Sequence, residues 1–143
     1  MKTYSIATGN PYEQLIISDI NISYADLNCG NPYNTKFKVK VISGDFAGLS
    51  EFEYNIKDFL CFVKEIKDLY EFKLSKVKLN DICYGSKILF CMDKTGHIKI
   101  SGTIYGHSME HSLTFEFTTD QTAFEAFCCT LYNDFISENM QSS

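Results

Sequence analysis

An α+β fold is predicted by three features of the 143-residue chain: runs of strict apolar/polar alternation, two segments of helical period, and short turn-rich connections. Their order is strands, helix, strands, helix. The expected architecture is a single antiparallel, curled β-sheet of about six to seven strands with two α-helices packed on one face. Residues 1–143 fit one domain, long enough to bury a real core.

Residues 14–24 place Ile16, Ile20 and Ile22 on a mostly alternating background and read as a strand or hairpin arm. Residues 28–34 combine Gly30 and Pro32 with Asn28, Asn31 and Asn34 and read as a turn. Residues 35–42 set Phe37, Val39 and Val41 against Lys36, Lys38 and Lys40, a strand with one wet face. Residues 46–54 form its partner, with Phe52 and Tyr54 inward and Glu51 and Glu53 outward. Antiparallel pairing would lay the lysine face beside the glutamate face. Such cross-strand pairs are each worth a fraction of a kcal/mol, enough to help fix register.

Asn55 is placed to cap a helix, with Asp58 three residues on. Ile56, Phe59, Leu60, Val63, Ile66, Leu69 and Tyr70 make its apolar stripe, and Cys61 and Phe62 stand at the margin. Residues 76–84 alternate again, with Val77 and Leu79 against Lys76 and Lys78. Residues 87–92 are apolar on both faces, the mark of a central strand. Asp93 to Gly96 reads as a type I turn closed by a left-handed glycine, leading into a strand at 97–105. Residues 113–117 are the last strand, and Asp120 or Thr122 caps a helix with Phe124, Phe127, Cys128, Leu131 and Phe135 on its core stripe.

In this register Met92 lies opposite His97. Ile98, Ile100 and Ile104 then share the helix-covered face with Leu89 and Cys91, and Ile88, Phe90 and Met92 fall on the other side. Three apolar side chains in a row on a wet face need covering, either by the N-terminal segment or the 24–34 loop, or by a partner protein.

Composition narrows the function classes. There are 18 acidic residues against 13 lysines and no arginine, giving a net charge of −5 and a pI near 5.1. This is the opposite of the basic footprint of a nucleic-acid binder, and bidentate phosphate recognition normally recruits arginine. The first ten residues lack the apolar run of a signal peptide, and no window approaches the ~20 apolar residues of a membrane span. Six cysteines without a C-x-x-C spacing suit free thiols in a reducing cytoplasm, with no metal or cofactor. His97, His107 and His111 lie in or beside turns, and no nucleophile elbow or phosphate loop accompanies them, so the chain is not expected to be an enzyme. Asp93 and Asp120 sit where a carboxylate accepts backbone N–H groups in a turn and at a helix start.

An ordered set of short motifs runs from about Lys36 to Tyr132. It comprises Phe37-Lys38-Val39, Gly44-Asp45-Phe46-Ala47-Gly48, the helix from Asp58 through Phe62 to Leu69-Tyr70, and Leu89-Phe90-Cys91-Met92-Asp93 with Thr95-Gly96-His97-Ile98. Leu113-Thr114-Phe115-Glu116-Phe117, Asp120-Gln121-Thr122 and Phe127 complete it. The set resembles that of WapI-type immunity proteins of bacterial polymorphic-toxin systems. The resemblance implies a cytoplasmic protein that binds and neutralises a cognate toxin domain, often a nuclease, without catalysis or cofactor. The surface expected to meet the toxin comprises Glu51, Glu53 and Glu116, with the Ile88, Phe90 and Met92 patch. The alternative expectation is a small-molecule-binding domain enclosing an apolar cavity between sheet and helices.

Overall fold

The computed structural model describes residues 2–137. The strands are β1 (Thr3–Ala7), β2 (Glu13–Ile22), β3 (Thr35–Ser43), β4 (Phe46–Tyr54), β5 (Lys76–Asn80), β6 (Lys87–Met92), β7 (His97–Tyr105) and β8 (Ser112–Asp120). The α-helices are α1 (Tyr24–Asn28), α2 (Ile56–Tyr70) and α3 (Gln121–Tyr132).

The expected single sheet is not what forms. The strands divide into two open, four-stranded antiparallel sheets, ordered β1-β2-β3-β4 and β5-β6-β7-β8, with three α-helices among the described residues. Strand β1 and helix α1 had no counterpart in the sequence reading. The division falls at α2. Fifteen helical residues carry the chain about 22 Å and start a second meander there, so β4 and β5 never become ladder neighbours. Each half is a four-stranded meander running directly into a helix, a repeat of topology that the sequence does not display.

The junctions from β4 into α2 and from β8 into α3 each follow from a side-chain cap. Asn55 Oδ1 accepts from Lys57 N at 3.0 Å, and Asp120 Oδ1 accepts from Ala123 N at 2.8 Å, so Asp120 and not Thr122 starts α3. The register of β3 against β4 sets Lys36 opposite Glu53 and Lys38 opposite Glu51, as the alternation predicts.

Helix α2 shows why two sheets suit this sequence better than one. Phe59 packs against Phe37 and Tyr54 of the first sheet, with ring centroids 5.3 and 6.4 Å away, whereas Phe62 packs against Phe90 of the second at 6.0 Å. Phe62 therefore lies in the core and not at its margin. A helix between two sheets needs two apolar faces, and residues 59 and 62 supply them. Phe124 and Phe127 of α3 close on Phe90 at 6.3 and 6.5 Å.

The hairpin between β6 and β7 corrects the other expectation. Asp93 N donates to His97 O at 2.9 Å, so residues 93 and 97 face each other across a three-residue loop with Gly96 at φ 87°. Met92 thus pairs with Ile98, Phe90 with Ile100 and Ile88 with Gly102. The expected register was one residue out, and such a slip exchanges the two faces of a strand. Ile88, Phe90 and Met92 lie in the core at 1%, 0% and 9% exposure, while Leu89 and Cys91 look outward beside Lys99 and Ser101. Neither the N-terminal segment nor the 24–34 loop is needed to cover them.

The two sheets touch directly at one end, where Gly48 meets Ile104 and Leu113 and the Ser50 and Ser86 hydroxyls lie 3.0 Å apart. Asp81 fastens this corner. Its buried carboxylate accepts from the N–H groups of Glu53 (2.8 Å), Cys83 (3.1 Å) and Tyr84 (2.7 Å), and Tyr54 Oη accepts from Asn80 N at 2.6 Å. Asp81→Ala would leave three N–H groups without their acceptor, and we expect it to cost about 3 kcal/mol in urea denaturation. A loss below about 0.5 kcal/mol would show that the clamp is incidental.

Candidate functional site

The outer face of β3 and β4 runs into the 81–86 connection and the end of β7, and a groove of about 370 Å³ opens at that corner. Strand alternation supplies Lys36 and Lys38 from β3, and Leu49, Glu51 and Glu53 from β4. Tyr84 comes from the 81–86 connection, Tyr105 from the end of β7, and His107 from just beyond it. Carboxylates, ammonium groups, two phenol rings and an exposed leucine therefore share one open surface.

Charge in the groove is partly compensated. Lys36 Nζ lies 3.5 Å from Glu53 and Lys38 Nζ 3.3 Å from Asp19, so Glu53 is a partnered carboxylate while Glu51 is solvent-exposed. Exposed pairs of this kind add little stability, and a partner can replace them at small cost. Cys83 stands beside the groove. Loss of solvent, followed by the nearby Glu53 carboxylate, pushes its thiol up, which favours an inert thiol over a nucleophile. Burial, then the adjacent Cys129, pushes Cys128 up to about 12, and its Sγ lies 3.9 Å from that of Cys129. Among the described residues no three His, Cys, Asp or Glu side chains gather as a metal site would require.

The six residues singled out from the sequence are therefore dispersed. Glu51 and Glu53 meet in the groove. Glu116 lies on the outer face of the second sheet, 2.9 Å from Lys99, whose ammonium that contact holds above the ordinary lysine range. Ile88, Phe90 and Met92 are buried in the core. The sequence reading missed Leu49, Tyr84 and Tyr105. Tyr105 ends an alternating strand on its polar side, which is the signal that could have found it, but nothing local announces that it shares a groove with β4.

His97 opens β7 at the end of a turn that Asp93 organises. Asp93 Oδ1 accepts from Thr95 N (2.8 Å), Thr95 Oγ1 (2.7 Å) and His97 N (3.0 Å), and these bonds, the Thr95 hydroxyl foremost, hold the Asp93 carboxyl below the usual carboxylate range. A lowered folded-state value means that its stabilising effect is present above the unfolded value, about 3.9, and is lost as pH falls through the folded one. Asp93→Asn should therefore flatten the fall in stability below about pH 4. Melting curves of both proteins from pH 3 to 7 check this, and parallel profiles would refute it.

No model of a protein family matches the chain, and no curated protein matches it. No described helix is long and apolar enough to cross a membrane. Among solved structures the chain is similar to one from the crystal structures of Trypanosoma brucei MRP1/MRP2, with a TM-score of 0.59 and 8% sequence identity. The alignment covers 99% of this chain and 88% of that one, so the likeness spans both halves of the fold and, at that identity, concerns the fold alone.

Proposed function

We propose that this protein is a cytoplasmic binding protein that neutralises a cognate toxin domain, as the resemblance to WapI-type immunity proteins implies, and that it does so without catalysis or cofactor. The carrying observation is the corner groove, where exposed Glu51 stands beside Leu49, Tyr84 and Tyr105. An apolar and aromatic centre rimmed by charge is how protein-binding surfaces are built. The net charge of −5 suits a basic partner such as a nuclease, because complementary charge speeds encounter.

The test is co-expression with a candidate toxin domain, taken from any neighbouring gene that encodes one, read as colony survival, together with pull-down of the purified pair. Protection by the native chain is expected, and loss of at least tenfold in affinity for a Glu51→Lys/Tyr105→Ala variant that still folds. A native chain that neither binds nor protects would end the proposal.

A further inference from the structure

The outer face of the second sheet has a different chemistry from the groove. Its cross-strand rows read Lys76, Cys91, Lys99, Thr118; then Lys78, Leu89, Ser101, Glu116; then Asn80, Lys87, Thr103, Thr114. Lys99 is paired with Glu116, but Lys76, Lys78 and Lys87 have no carboxylate within ion-pair distance among the described residues. In the first sheet the register sets Glu53 against Lys36 and Glu51 against Lys38, whereas here it sets leucine, cysteine and asparagine against lysine. Three uncompensated cations thus share one sheet face of a chain whose net charge is −5. Lys78 and Lys87 border a concavity of about 550 Å³ lined also by Leu89, Ser101, Thr103 and Tyr105.

We propose that this face docks an extended acidic segment of a partner protein. The proposal rests on the protein-binding reading above and adds a second contact, of opposite charge to the groove. Four strands about 4.8 Å apart span about 14 Å, the length of four to five extended residues. Carboxylates of such a segment would meet Lys78 and Lys87, and an aliphatic side chain between them would cover half-buried Leu89. The chemistry favours carboxylate over a nucleic-acid strand. The chain has no arginine to fork onto phosphates, and Tyr105 stands alone at one end of the face where successive bases would need a series of stacking rings.

The experiment is an amide chemical-shift titration of the whole protein with an acetylated hexapeptide of Glu, Asp and Leu, and in parallel with a dodecathymidylate. Peptide-induced shifts should centre on residues 76–80, 87–91 and 99–105. Lys78→Glu/Lys87→Glu should weaken peptide binding at least tenfold, and Lys57→Glu/Lys64→Glu on exposed faces of α2 should leave it unchanged. Equal loss in the two double variants, no shift at millimolar peptide, or tighter binding of the oligonucleotide would each overturn the proposal. The last would assign the face to single-stranded nucleic acid. A native chain that protects from the toxin but docks no peptide sinks only this inference, and peptide docking without protection from the toxin sinks only the immunity reading.

Discussion

Phe90→Ala is expected to lower the unfolding free energy by about 3–5 kcal/mol, the range for removing a fully buried aromatic ring. Phe90 is 0% exposed and meets Phe62 of α2 and Phe124 and Phe127 of α3, so its loss opens a void bordered by three elements. None of those rings can collapse into the space without leaving its own contacts, which puts the cost toward the upper end. The same substitution on an outward face would change stability by less than about 0.5 kcal/mol. Equilibrium denaturation in urea therefore reads the strand's orientation directly, and a change that small would return the residue to the surface.

Gly102→Ala should be nearly as damaging, by at least about 3 kcal/mol, for the opposite reason. A Cβ at Gly102 would overlap the Lys87 carbonyl oxygen and come within 2.9 Å of the Ile88 Cα. Both obstacles are backbone of the neighbouring strand, so no rotamer change relieves the clash and the β6–β7 ladder must open. A melting temperature within about 2 °C of the parent would show that the strands yield more readily than that. Gly85→Ala is a useful comparison, since a Cβ there meets nothing within 4 Å and only its positive φ is disturbed.

Much of the secondary structure was legible because the signals are local. The Lys/Val alternation of residues 35–42, the stripe of α2 and the Asn55 and Asp120 caps each depend on a few adjacent residues. Sheet membership was not legible, because alternation shows that a strand has a buried face but not which partner covers it. The position of Phe62 held a clue: an apolar residue beside the main stripe is what a helix touched from two sides requires. Register across the Asp93–His97 hairpin turned on one residue of loop length, and with it went the assignment of Ile88, Phe90 and Met92. The corner groove was half visible. Glu51 and Glu53 were found through strand alternation, while Tyr84 and Tyr105 reach it because residues distant in the chain pack beside β4.

Shared helices make the two meanders thermodynamically inseparable. Helix α2 lends Phe59 to one sheet and Phe62 to the other, and α3 lies against both β1 and β7. Melting of either meander strips the helices of one of their two apolar partners, so amide exchange in the central strands of both should report one common opening free energy despite the duplicated topology. Two sheets that form no common ladder thus behave as one cooperative unit, with the helices as the coupling.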